Sequence, residues 1–225
     1  MLAERRIAEE RMDDPSLDPA TYREVLRDLA KVNTVTLARR PTLNFLEKAV
    51  GDQRTFRLLD VGFGDGDMLR AIARWADRHG IAADLVGIDL NPRSRAIAQE
   101  HGGGIDYRTG DYADLADEPW DCVVSSLVAH HMTRDQLVAF LRFMEDHARL
   151  GWFVNDLHRH TVSYLGYPVL ARLAGWHEIV RKDGHTSIAR SYRPAEWRAL
   201  LADASVTQAS IERHFPFRLC VSRIR

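Results

Sequence analysis

The chain has 225 residues, enough for one large α/β domain, and its 45% apolar and 28% charged composition excludes a disordered tail. With 31 basic against 32 acidic side chains there is no basic excess, so a nucleic-acid partner is not expected. No stretch nears the roughly 18 apolar residues of a membrane span, and the Glu- and Arg-rich first dozen residues lack a signal peptide's apolar region, so a cytoplasmic protein is expected.

Residues 1 to about 54 are helical in pattern. Tyr22, Val25, Leu26 and Leu29 share one helical face, and Pro41 opens a further helix. Thereafter short apolar runs alternate with amphipathic stretches. Phe56–Val61 reads as a buried strand and Met68–His79 as a helix. Asp84–Asp89 is a second strand, followed by a helix that Pro92 opens, and Ile105–Arg108 is a third. Asp121–Leu127 is a fourth strand, apolar enough to be central. Thr133 and Gln136 have the spacing of a capping box, ahead of a buried stripe of Leu137, Phe140, Leu141 and Met144. Leu150–Leu157 is a fifth strand. A helix around Pro194–Ala202 precedes two last strands, Val206–Glu212 and Phe217–Ile224.

This alternation predicts a mostly parallel sheet with helices on both faces. The short link at Pro216 leaves no room for a parallel crossover, so the final strand is expected to run antiparallel. Residues 156–193, rich in aromatic residues and His, fall outside the alternation. Together with residues 1–54 they are candidate lids, since ligand sites in this architecture lie at the carboxyl ends of the strands. Cys122 and Cys220 each sit in an apolar run and read as buried free thiols.

Leu58–Gly66 runs from a strand into a glycine-rich turn. Gly62 and Gly64 let the backbone approach a ligand, and the helix that follows offers free N–H groups. A dinucleotide turn would have its third glycine at position 67, which is Asp; here the third glycine is Gly66. Asp60, at the strand end, would repel a pyrophosphate and suits a cationic amino group. Asp89 ends the second strand, where a carboxylate can take both hydroxyls of a ribose or instead cap the next helix. Asp111 and Tyr112 end the third strand, placed for the amine and ring of an adenine, or simply for a turn.

These segments, with Ser125–Met132 after the fourth strand, resemble in order and spacing the class I S-adenosylmethionine-dependent methyltransferases over about Thr55–Arg225. The resemblance implies a Rossmann-like, doubly wound α/β fold with seven strands, preceded here by the N-terminal helices. It also implies S-adenosyl-L-methionine as cofactor: Asp60, Gly62, Gly64 and Gly66 at its methionine moiety, Asp89 at the ribose, Asp111 and Tyr112 at adenine, with Leu90 also in the cofactor site. His130–His131 and Asn155–His158 further resemble bacterial methyltransferases of polyketide, quinone and phenolic-lipid modification. His130 occupies a position similar to the catalytic His of plant-type O-methyltransferases.

A small-molecule acceptor follows, since Ser125–Val128 replaces the Asn/Asp-Pro-Pro-Tyr segment of base-modifying enzymes. Transfer to a hydroxyl needs a base, for which His130, with His131 second, is the candidate; the alternative is that they cap the following helix or line the pocket. His158, Tyr164 and Trp176 are candidate substrate contacts. His158 and His160 have metal-like spacing, but no nearby Cys or carboxylate completes a set, and no metal is expected. Transfer to carbon, or a non-catalytic cofactor-binding module, are the competing readings. The sequence leaves monomer or homodimer open.

Overall fold

The computed structural model describes residues 2–225. Helices α1 (Pro19–Val35) and α2 (Arg39–Val50) lead into an alternation of β1 (Thr55–Val61), α3 (Asp67–His79), β2 (Ala82–Asp89), α4 (Pro92–Gln99), β3 (Asp106–Thr109), β4 (Trp120–Ser126), α5 (Arg134–His147) and β5 (Ala148–Leu157). Two further helices, α6 (Thr161–Leu173) and α7 (Glu178–Arg190), fill the region outside the alternation. Helix α8 (Pro194–Asp203) and the strands β6 (Ser210–His214) and β7 (Arg218–Ile224) complete the chain.

The seven strands form one sheet in the order β3-β2-β1-β4-β5-β7-β6. The first five pair in parallel, whereas β7 is antiparallel to β5 and also to β6, to which the short link at Pro216 leaves no room for a parallel crossover. Alternation along each strand divides the core into two layers. Leu59, Val61 and Val123 join Phe140, Met144 and Trp197 of α5 and α8 on one face. Leu58, Cys122 and Val124 join Phe45, Leu69 and Ile72 of α2 and α3 on the other. Each such fully buried side chain contributes about 1.5–3 kcal/mol relative to exposure. Cys122 and Cys220 are buried, free thiols.

Local chemistry sets the element ends. Thr133 Oγ1 accepts from the Gln136 backbone N–H while Gln136 Oε1 accepts from that of Thr133, completing the capping box of α5. Val206, read from sequence as the start of a strand, belongs instead to the end of α8. Ser205 has φ 62°, Val206 N–H donates to Leu201 O and Ser205 N–H to Ala202 O, which is a Schellman motif; the buried Val206 is its apolar contact. The strand therefore begins only at Ser210.

The helical pattern expected of the first 54 residues holds from Pro19 onward. Before it, apart from a short 3-10 turn at Arg11–Asp13, lies an extended arm. Arg6 N–H donates to Ala189 O, and the buried guanidinium of Arg159 and that of Arg193 donate to Leu2 O. The arm thus lies against α7 and the chain beyond β5. Among the described residues no helix is long and apolar enough to cross a membrane.

Candidate active site

The order β2-β1-β4 places a topological switch at β1, where the chain turns from building one half of the sheet to the other. A crevice opens at such a point beyond the carboxyl ends of the strands. Here it is a cavity of about 750 Å³, walled by the β1–α3 turn, the β4–α5 loop, α1, α6 and the arm.

One end is built on β1 and β2. Asp60 is fully buried, lines the cavity, and neither carboxylate oxygen has a hydrogen-bond partner. Burial, reinforced by the nearby charges of Asp67 and Asp89, pushes its pKa up to about 8. Such a carboxylate calls for a cationic partner from the cavity. The turn after it is held by glycine for two different reasons. Gly62 (φ 78°) packs so close to Val128 that a Cβ would lie 2.3 Å from its Cγ2, whereas Gly64 (φ 59°) keeps the turn's wall open toward Leu26. Gly66, by contrast, does not line the cavity. A Cβ there would meet the Tyr107 hydroxyl at 2.4 Å, so this glycine serves the packing of α3 on β3.

Asp89 lines the cavity and is not the cap of α4, a task Asn91 performs by accepting from Arg93 N–H. Its carboxylate accepts from the backbone of Gly64 at 2.9 Å and of Asn91 at 2.8 Å, tying the glycine turn to β2. Leu90 beside it is 75% exposed, an apolar surface on the cavity wall. Asp111 accepts from Ala113 N–H and caps a short 3-10 turn; Tyr112 packs on Phe140 and Phe143 and also lines the cavity. Tyr22 and Leu26 of α1 close this end, and the Tyr22 hydroxyl lies 3.0 Å from Asn91 Nδ2.

The other end is built on β4, β5 and the arm. His130 is buried, with Nδ1 2.7 Å from Asp156 Oδ1 and its backbone N–H donating to Asp156 Oδ2 at 2.8 Å. On its far side, Nε2 lies 3.6 Å from Glu10 Oε1. Burial disfavours the charged ring, but Asp156 and then Glu10 outweigh it and push the pKa up to about 9. His131 Nε2 lies 3.7 Å from Glu10 Oε2, and its Nδ1 3.2 Å from Asp13 Oδ2. The structure thus brings both candidate histidines to the cavity wall beside a buried glutamate.

Arg218, at the start of β7, is buried in the same wall; its Nη1 has no partner, and Nη2 reaches only Thr36 Oγ1 at 3.5 Å. His158 also lines the cavity, and burial, with Arg213 next in effect, lowers it to about 4, so the ring is neutral. The other two expected substrate contacts lie elsewhere. Trp176 is buried among Val25, Ala171, Ile179 and Val180, joining α1 to α6 and α7, because these helices need an apolar seam of their own. Tyr164 stacks on His185 at 3.8 Å, away from the cavity.

Glu10, Asp13, Asp156 and Arg218 were not among the candidates read from sequence. Glu10 sits in a charged segment that reads as solvated surface. The Asn155–His158 segment is the one local signal, through its resemblance to bacterial methyltransferases.

Residues 58–151 match the family described as Methyltransferase domain. A trans-aconitate 2-methyltransferase of Mycobacterium tuberculosis (strain ATCC 25177 / H37Ra) is 29% identical over 161 residues, 70% of this chain and 59% of that protein. A ubiquinone biosynthesis O-methyltransferase of Azorhizobium caulinodans is 37% identical over 119 residues, 50% of this chain and 42% of that protein. The chain thus spans less than two thirds of the length of these curated relatives. Among solved structures, the plantazolicin methyltransferase BpumL in complex with SAH superposes with a TM-score of 0.70 at 14% identity, over 95% of this chain and 91% of that one. Magnesium protoporphyrin IX methyltransferase from Synechocystis PCC 6803 gives 0.55 at 17% identity, covering 96% and 91%. The fold is that of these proteins.

Proposed function

We propose that this chain, which carries a class I S-adenosylmethionine-dependent methyltransferase domain, transfers a methyl group to an oxygen of a small phenolic, quinone or polyketide-like acceptor. The observation that carries the reading is Asp60. A buried carboxylate with both oxygens unpartnered, beside a glycine turn, fits the ammonium of S-adenosylmethionine. Asp89 would face the ribose hydroxyls, and Leu90 and Tyr112 would flank the adenine. When bound, the cofactor supplies an electrophilic methyl group.

The chain's own residues then have two tasks. The apolar wall contributed by Leu29, Met132, Leu170 and Phe217 takes up the acceptor's body and excludes water. Holding the acceptor oxygen in line with the methyl group supplies most of the acceleration. The second task is to take the acceptor's proton. Asp156 holds the proton of His130 on Nδ1, so Nε2, which faces Glu10, is the atom that acts as base in the neutral ring, a form more populated as pH rises toward the raised pKa of about 9. The 37% identity to a ubiquinone biosynthesis O-methyltransferase supports this acceptor class.

A carboxylate acceptor is the second reading, favoured by the unpaired Nη1 of buried Arg218 and by the similarity to a trans-aconitate 2-methyltransferase. A carboxylate needs no base, which separates the two. The test is label transfer from methyl-labelled S-adenosylmethionine to matched phenols and carboxylic acids, by wild type and His130→Ala. Turnover of phenols that His130→Ala abolishes supports the first reading. Turnover of acids alone, indifferent to His130→Ala, replaces it with the second, and cofactor binding with no turnover of either class points to a non-catalytic module.

A further inference from the structure

Glu10, His130 and His131 each present one ligating atom, and the three atoms lie within 4.8 Å of one another at the cavity wall. The two Glu10–His distances, 3.6 and 3.7 Å, exceed those of a hydrogen bond. They run to the two different oxygens of Glu10, and the spread of the three atoms, within 4.8 Å, leaves room for an ion with bonds of about 2.0–2.1 Å after small side-chain adjustments. We propose that Glu10, His130 and His131 form a binding site for a divalent transition-metal ion, with a coordination position left open toward the cavity.

The surroundings are those such a site requires. A ligating imidazole keeps its second nitrogen on a carboxylate or carbonyl, which fixes the tautomer and the ring plane. His130 does so with Asp156 and His131 with Asp13, and each leaves Nε2 toward Glu10. Glu10 is itself oriented by Ser187 Oγ, 2.8 Å from Oε1, with Arg190 Nη1 3.5 Å from the same oxygen. Three acidic side chains, Glu10, Asp13 and Asp156, surround the two imidazoles, an acidic setting that favours a cation there. Two imidazoles and one carboxylate suit Zn²⁺, Co²⁺ or Fe²⁺ rather than Mg²⁺ or Ca²⁺, which prefer all-oxygen sets. Three protein ligands with a fourth position open is the pattern of sites where an ion polarises a substrate rather than holding a fold.

The ion and a transferred proton compete for the same His130 Nε2 lone pair. A metal-loaded site would therefore lower the pKa of an acceptor oxygen by coordinating it; that use rests on the methyl-transfer reading, whereas the binding site does not.

Protein stripped with a chelator and titrated with Co²⁺ at neutral pH tests the site, because the visible spectrum of Co²⁺ reports its coordination. S-adenosylhomocysteine binding is measured on every sample. The expected result is one Co²⁺ per chain in a site of low coordination number, competed by Zn²⁺. Glu10→Gln and His131→Asn should each weaken it by about tenfold or more, while Asp89→Ala should keep it. Wild type that binds S-adenosylhomocysteine yet takes up neither Co²⁺ nor Zn²⁺ overturns the proposal, as does uptake that both ligand variants preserve. Metal uptake by a protein that fails to bind S-adenosylhomocysteine would overturn the proposed function and leave this site standing.

Discussion

Asp89 and Gly64, twenty-five residues apart, are joined by a 2.9 Å hydrogen bond from the glycine N–H to the aspartate carboxylate. The bond fixes the end of β2 against the turn after β1, so that the two chain segments facing the expected cofactor move as one. Asn91 N–H donates to the other oxygen, so backbone groups of both segments hold the carboxylate in place.

Asp89→Ala removes both this brace and the expected ribose contact. Affinity for S-adenosylhomocysteine should fall by at least tenfold, about 1.4 kcal/mol, in calorimetry. Unchanged affinity in a folded variant would remove Asp89 from the cofactor site.

Asp60 gives a pH dependence whose sign follows from its raised pKa. The folded free protein holds this proton up to about pH 8, whereas an unfolded chain releases it near the ordinary carboxylate value of about 3.9. Stability of the free protein should therefore decline as pH rises from about 4 to about 8, and Asp60→Asn should flatten that decline. An ammonium partner needs the ionised form, so S-adenosylhomocysteine should bind more tightly at pH 8 than at pH 6, with proton release. Affinity that is flat over this range would disconnect Asp60 from the ligand's amino group.

Asp156→Asn leaves His130 beside a neutral partner that no longer fixes its tautomer. Turnover should fall by about 10²–10⁴-fold, with KM for the acceptor and cofactor affinity much less affected. A parallel loss in both would assign Asp156 to the fold.

Gly66→Ala drives a methyl group into Tyr107 at a residue with φ 77°. We expect a loss of about 1–3 kcal/mol in denaturant unfolding, part of it recovered in Gly66→Ala/Tyr107→Phe. A loss confined to cofactor affinity, with stability intact, would return Gly66 to the cofactor site.

The sheet was legible because its signals are local. The short apolar runs of β1 and β4, the capping box at Thr133 and the short link at Pro216 each act over a few residues. The glycine turn and the end of β2 were legible for the same reason. Val206 misled because a buried valine after a helix looks alike whether it begins a strand or completes a Schellman motif. The acceptor end was half-read. His130 and His131 stood out beside β4, but Glu10 reaches them across about 120 residues, and nothing in a Glu- and Arg-rich segment marks one glutamate as buried. Trp176 and Tyr164 shared a composition with the cavity wall and not its position.

The cavity has two kinds of ancestry. One end is made by β1, β2 and the turns between them, residues that the sheet cannot lose without losing its own order. The other adds, to the chain after β4 and β5, a covering wall from the arm, α1, α6 and α7, segments that contribute no strand. Insertion, truncation or exchange in those segments leaves the hydrogen-bonded sheet untouched while remaking what the cavity admits. Diversification of such a chain proceeds by swapping its roof on a retained floor, and directed evolution aimed at a new acceptor belongs in residues 2–35 and 161–190.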